Sequence, residues 1–257
     1  MTALDEAAAL LAAGRLEGKT LCELPARLRP RDEAEAYRVQ ERLHVRLAEA
    51  GHGRIAGHKI GCTTPVMQAF LGIPNPCAGG VFERTRHDRA GRFRHADFRH
   101  VGVECEIAVL LGADLAAGPG HDRESVAGAV AAVTAAIEVV DDRWDDYHAV
   151  STPSLIADDF FNAGCVLGPP VADWRGLDLA ALAGTMTING AVVGRGRGGD
   201  IMGHPFAALA WLAKMRGPLR AGEFVLLGSV VETRWVAAGD RIEVAIAGLG
   251  GVSAEFR

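Results

Sequence analysis

Long apolar runs are missing from this chain. No stretch approaches the ~20 residues that a membrane-spanning helix needs, which argues against a helical membrane protein. Runs of lysine or arginine are missing too: with a formal charge of −5 and nine histidines counted as neutral, the chain has no electrostatic footprint for nucleic acid. Cysteine is sparse, at positions 22, 62, 77, 105 and 165. The odd number and the lack of C-x-x-C spacing speak against a disulfide framework or a zinc–thiolate site, leaving reduced, mostly buried thiols. Low-complexity segments and internal repeats are absent. The opening MTALDEAAALLAAGRLEG carries acids early, with no basic leader and no cleavage-like ending. It reads as an amphipathic helix rather than a signal peptide, with the cytoplasm as the expected location. The remaining composition, 49% apolar and 23% charged, is that of a globular protein with one large domain and a small terminal cap.

Two helical patterns open the chain, over residues 3–13 and about 31–50. The second places Ala36, Val39, Leu43 and Leu47 on one face before Gly51 ends it. These form an expected helical N-terminal region, 1–53. From residue 54 to 257 the texture becomes β-rich, with short apolar runs punctuated by glycine and proline: RIAGHKIG, AGGVFE, VECEIAVLLG, AAIEVVDD, AGCVLG, TMTINGAVVG, FVLLGSVV and RIEVAIAG. Asn189-Gly190 between alternating apolar residues predicts a two-residue hairpin turn. DRESVAGAVAAV predicts a helix capped by Asp122, with Glu124 and Ser125 in its first turn, and HPFAALAWLAKMRG a helix opening at Pro205 and closing on Gly217. Helices and strands do not alternate regularly, so the expected class is α+β, built on packed or rolled β-sheets, rather than a doubly wound sheet.

VGVECEIAVLLG poses the chemical question. Side chains alternate along a strand, so Glu104 and Glu106 share one face while Val103, Cys105 and Ile107 occupy the other. Two carboxylates held that close and out of water either share a proton or surround a cation. A third acid, Glu138, interrupts another apolar run in TAAIEVVDD. Three carboxylates suit a hard divalent ion, Mg²⁺ or Mn²⁺, which prefers oxygen ligands and keeps waters that a substrate can displace. The alternative is an edge strand on which Glu104 and Glu106 face solvent. Lys59, flanked by glycines and isoleucines in GHKIGCTT, is either a buried group assigned to chemistry, as an acid or base or a fixed charge, or a lysine reaching out to water. His58 reads as structural. Arg195 to Asp200, RGRGGD, reads as a pocket-edge loop rather than an anion cradle. DDRWDDYH lacks the ligand spacing of a calcium loop; Asp141 and Arg143 within it are expected to support the metal ligands from behind.

GHKIGCTT, VECEIAVLLG, AAIEVVDDRW, NAGCVLG, GDIMGHPFAALAWLA, VLLGSVVETRW and the terminal GLGGVSAEF occur in an order that resembles the fumarylacetoacetate hydrolase superfamily. Within it, the chain looks most like the 2-keto-4-pentenoate hydratase and 4-oxalocrotonate decarboxylase branch. The resemblance implies a mixed β-roll or sandwich core of that family's C-terminal type with a small helical N-terminal region, and a homo-oligomer. It also implies Mg²⁺ or Mn²⁺ on Glu104, Glu106 and Glu138, acid–base chemistry at Lys59, and Ser229 near the substrate. Cys77 stands where hydratases of the branch commonly carry an acid, and FFNAG replaces the usual S-S.

The implied substrate is a small 2-oxo or 2-hydroxydienoic acid, with no nucleic-acid or membrane partner. The expected reaction is hydration of a 2-hydroxy-2,4-dienoate to a 4-hydroxy-2-oxo acid, as in the breakdown of aromatic compounds. Decarboxylation of a 4-oxalocrotonate type of acid is the runner-up. Carbon–carbon hydrolysis of an acylpyruvate, with His121 and Glu124 as candidate water activators, and a non-enzymatic metal-stabilised binding protein are further alternatives.

Overall fold

The structure, a computed structural model, describes residues 2–257. Helices α1 (Ala3–Glu17) and α2 (Glu33–Leu47) open the chain. Thr2 and Asp5 form a reciprocal capping box on α1, and Asp32 accepts the Glu35 amide at the start of α2, satisfying donors that helix N-termini leave free. Twelve strands follow: β1 (Ile55–Gly61), β2 (Cys77–Phe82), β3 (Arg86–Asp88), β4 (Ala90–Phe93), β5 (Val101–Leu111), β6 (Val130–Asp141), β7 (Asn162–Leu167), β8 (Ala183–Ile188), β9 (Ala191–Arg197), β10 (Phe224–Trp235), β11 (Arg241–Ile246) and β12 (Gly250–Phe256). Interspersed are helices α3 (Pro65–Leu71), α4 (Arg123–Ala127), α5 (Thr152–Ala157) and α6 (Pro205–Arg216). Among the described residues no helix is long and apolar enough to cross a membrane.

The strands form two mixed sheets, one of seven in the order β2-β1-β10-β5-β6-β7-β3 and one of five in the order β4-β12-β11-β8-β9. This is the expected α+β architecture of packed β-sheets. The pleat of β5 sends Val103, Cys105, Ile107 and Val109 into the core shared with the smaller sheet and α6, where Met186, Leu209, Ile242 and Phe256 are buried. Gly102, Glu104, Glu106 and Ala108 therefore face outward from the pair of sheets. A second apolar cluster lies elsewhere: Leu11, Leu43 and Leu47 of the N-terminal helices pack with Phe82, Trp144, Leu155 and Phe160. The helices thus share a core with the segment that leads into β7.

The Asn189-Gly190 turn is as expected, with φ of 52° and 82° joining β8 to β9, the left-handed pair that a tight hairpin requires. Helix α6 begins at Pro205 and stops before Gly217. The helix expected over 122–133 is shorter. Asp122 and Ser125 do cap it reciprocally, but α4 ends at Ala127 and Val130 begins β6. The Val and Ala residues beyond it are claimed by pairing with β5, which continues from Leu111↔Val130 to Val101↔Asp141; tertiary pairing outweighs local helix preference there.

Candidate active site

β5 lies between β10 and β6 in the larger sheet, so Glu104 and Glu106 do not sit on an edge strand. The register sets Glu104 directly opposite Glu138, a like-charge pairing that is unfavourable without compensation. Glu106 lies opposite Ser229 of β10. Glu106 and Glu138 are 0% and 1% exposed, and Glu104 is half-buried. One carboxylate oxygen from each of the three lies within 4.8 Å of the others.

Each acid is aimed by one donor. Glu106 Oε2 accepts the Gly228 amide at 2.7 Å, Glu138 Oε1 accepts Asn162 Nδ2 at 2.9 Å, and Glu104 Oε1 accepts the Thr233 hydroxyl. The remaining oxygens of Glu106 and Glu138 are buried without a hydrogen-bond partner. Burial, with Glu138 and Glu104 adding to it, pushes Glu106 well above the ordinary carboxylate range, and burial likewise raises Glu138. Orphaned anionic oxygens in a dry place are rare and call for a counter-charge. A divalent cation fits them, and among the described residues the group consists of carboxylates alone, a set of oxygen donors that hard cations favour.

The Gly228 donor depends on backbone shape. The β10–β5 register slips between Leu226 and Ser229, and Gly228 has φ of 127°, where a side chain is strained. An added Cβ would also stand 2.6 Å from Thr63 Cγ2. This bulge turns the Gly228 amide toward Glu106. Ser229 fills the gap: its hydroxyl accepts the Cys105 amide at 3.1 Å and donates to the Val231 carbonyl at 2.6 Å. It lines the cavity with its hydroxyl engaged by backbone.

Lys59 is 2% exposed. Its Nζ donates to the Phe160 carbonyl at 2.6 Å, lies 3.3 Å from Glu138 Oε1, and sits 5.2 Å from the Phe160 ring centroid. Burial acts to lower its pKa, but Glu138 and Glu104 more than offset this and raise it. Lys59 is therefore held beside the acids by the Phe160 carbonyl and Glu138.

The Phe160 carbonyl comes from an unusual turn. Asp159, Phe160 and Phe161 have φ of 57°, 48° and 69°, three left-handed residues in succession, none of them glycine, each unfavourable without support. The support is a buried charge cluster. Asp159 accepts His44 Nε2 at 2.6 Å, Arg15 Nη1 at 2.8 Å and the Gly80 amide at 2.8 Å, so α1 and α2 hold the turn. Burial disfavours the Asp159 carboxylate, yet His44 and Arg15 beside it carry its pKa far below the usual range. Such a group stabilises the fold fully above pH ~4, and the contribution is lost as pH falls toward the folded-state value. Asp159→Asn is expected to destabilise the protein by about 3 kcal/mol, roughly 6–12 °C in Tm, and to flatten the acid limb of stability; thermal melts across pH check both.

Of the expected pair behind the ligands, Asp141 acts on the Arg143 guanidinium by its charge, but the two take different hydrogen-bond partners. Arg143 Nε binds Asp158 at 2.9 Å and Arg143 Nη1 binds the Asn162 carbonyl at 3.1 Å, so it holds the residue that aims Glu138. Asp141 accepts the Arg99 and His100 amides at 3.0 and 2.8 Å. It lies three residues from Glu138 on a regularly paired strand, hence on the opposite face, and it fastens the loop entering β5. Asn162, Thr233, Gly228 and Asp159 were not singled out from sequence; the one visible signal was a polar Asn opening the apolar NAGCVL. His121 and Glu124 do not line the cavity, and His121 binds the Ala116 carbonyl at 2.6 Å. Cys77 is buried beside Cys62, whose sulfur, with burial, raises the Cys77 thiol. The segment expected as a loop over 195–200 is in part strand: residues 195–197 end β9, paired with β8, and only Gly198–Asp200 form a short turn, from which Asp200 lines the cavity. His58 is half-buried with Nε2 3.5 Å from Glu223, apart from the acids.

Fold and acid cluster define the class. Residues 84–257 match the fumarylacetoacetate (FAA) hydrolase C-terminal family, and the chain belongs to the fumarylacetoacetate hydrolase family. It is 37% identical, over 86% of its length and 85% of the relative's, to a 2-hydroxyhexa-2,4-dienoate hydratase of Comamonas testosteroni. It is 34% identical, over 98% and 96% of the two chains, to 2-keto-4-pentenoate hydratase 1 of Dechloromonas aromatica. Among solved structures it is similar to the 4-oxalocrotonate decarboxylase of Pseudomonas putida G7 complexed with magnesium and adipate. That match has a TM-score of 0.91 and 29% identity, covering 99% of this chain and 97% of the other.

Proposed function

We propose that this protein is a divalent-metal-dependent hydratase that converts a 2-hydroxy-2,4-dienoate to a 4-hydroxy-2-oxo acid. The observation that carries the reading is the set of three converging carboxylates with two partnerless buried oxygens, beside a buried lysine. Names of the curated relatives support the substrate class. Glu104, Glu106 and Glu138 would hold Mg²⁺ or Mn²⁺, which when bound supplies positive charge to a substrate's C1 carboxylate and 2-oxygen.

The chain's own groups do the rest. Gly228, Asn162 and Thr233 fix the acids, so little rearrangement is needed during reaction. Lys59 holds and moves the proton. The 2-hydroxyl proton leaves and a proton is delivered to C5, giving a 2-oxo-3-enoate. Water then adds at C4, its second proton going to C3, so that product is substrate plus one water. Phe160 beside Lys59 keeps bulk water from the ammonium.

Loss of dienoate absorbance in the presence of Mg²⁺, with 4-hydroxy-2-oxopentanoate formed from 2-hydroxypenta-2,4-dienoate, is the expected result. The similarity to a decarboxylase structure favours a second reading, in which 4-oxalocrotonate loses CO₂ in the same place. CO₂ release faster than hydration would replace the first reading with the second; silence toward both acids would remove both.

A further inference from the structure

Resting on the hydratase reading, we infer that the outer part of this cavity selects a monoanionic acid with an apolar tail and disfavours a second carboxylate. The cavity measures about 470 Å³. That volume is in the range of sites for drug-sized ligands and is well beyond what a five-carbon acid fills.

Its charge is distributed unevenly. Among the described residues that line it, Lys59 is the one Lys or Arg, and the other charged residues are Glu104, Asp200 and Glu232. Lys59 lies at the floor, engaged by the Phe160 carbonyl and Glu138. A carboxylate at the far end of a substrate would leave water without gaining a partner, facing charges of its own sign.

The walls beyond the acids are apolar. Val140, Tyr147 and Phe161 line the cavity, and so do Val66 and Met67 of α3 and Trp235 of β10. Val66, Met67 and Trp235 are 77%, 42% and 45% exposed, large apolar groups left wet at the mouth. A tail passing Phe161 would cover them and gain by burial in proportion to its length. The decarboxylase neighbour was captured with adipate, a dicarboxylate; here Arg234, beside the lining residue Glu232, is already paired with it at 3.5 Å, so such a ligand meets no free cation among the described lining residues.

Calorimetric titration of the Mg²⁺-loaded full chain with stable 2-oxo acids tests this without turnover. Affinity is expected to rise about three- to fourfold per methylene from pyruvate toward 2-oxooctanoate, the value of one buried CH₂. 2-Oxoadipate is expected to bind at least about tenfold more weakly than 2-oxohexanoate, the scale of one lost favourable contact. Met67→Arg, on the exposed face of α3, should raise the ratio of 2-oxoadipate to 2-oxohexanoate affinity about tenfold, as a charge-assisted contact would. Trp235→Arg asks the same at a second exposed lining residue. Mg²⁺-dependent pyruvate binding with no gain from longer tails, or 2-oxoadipate bound as tightly as 2-oxohexanoate, overturns the tail assignment and leaves the hydratase reading standing. No Mg²⁺-dependent binding of any 2-oxo acid overturns both.

Discussion

Glu106→Gln is expected to abolish Mg²⁺-induced stabilisation and turnover while leaving the metal-free protein at least as stable as the wild type. Gln can still accept the Gly228 amide that Glu106 Oε2 accepts at 2.7 Å, so the bulge keeps its partner. What is lost is a fully buried negative charge facing two others, and that charge opposes folding until a cation arrives. In the wild type, Mg²⁺ at a hundred times its Kd should add about 2.7 kcal/mol, roughly 5–10 °C in Tm; in the variant the increment should vanish. The pH dependence has a definite sign. Burial and the neighbouring acids raise Glu106 and Glu138, so the folded metal-free protein binds protons that the unfolded chain has released. Its stability then falls as pH rises from the ordinary carboxylate range toward the raised values, and Glu106→Gln should reduce that slope. Melts with and without Mg²⁺ at pH 5 and pH 8 measure all three effects; an undiminished Mg²⁺ increment in the variant would remove Glu106 from the ligand set.

Lys59→Met should move the same two observables the other way. Met preserves the volume of the stem against Phe160 but removes the cation 3.3 Å from Glu138. The acids then lack their one close counter-charge, so metal-free Lys59→Met should melt lower than the wild type and gain more from Mg²⁺. Turnover should nonetheless fall by about 10²–10⁴, the usual contribution of a positioned proton-transfer group. Tight metal binding with normal turnover would assign Lys59 to charge balance alone. The paired variants thus separate holding the ion from moving the proton.

The larger features of the fold were legible because they depend on local rules. Alternation in VECEIAVLL placed both glutamates on one face, and Asn-Gly between apolar residues announced the β8–β9 turn. Short or glycine-rich elements were less legible: β3 and β4 are edge strands of three and four residues, and β12 opens on two glycines between β4 and β11, so their identity depends on the strands they join. Helices α3 and α5 each carry Pro in the first turn, a signal present but not used. The groups that aim the acids were hidden for a different reason. Gly228 acts through a bulge, Thr233 lies beyond further register slips on the same strand, and Asp159 lies in a run of left-handed residues. None of these follows from a period of two or 3.6. Asp141 lies three steps from Glu138, which crosses the sheet, so its charge acts on Arg143 rather than on the acids directly, an arrangement that adjacency in DDRW does not reveal.

The turn at Asp159–Phe161 has a consequence for how the molecule comes into being. Its three costly conformations are held through Arg15 and His44, which lie far upstream of the strands that carry the acids. A partly folded molecule could therefore pair β5 with β6 and gather its glutamates before the lysine had a carbonyl to rest on. Competence would arrive only when α1 and α2 close over that turn, which makes the two helices a latch on a site they do not line.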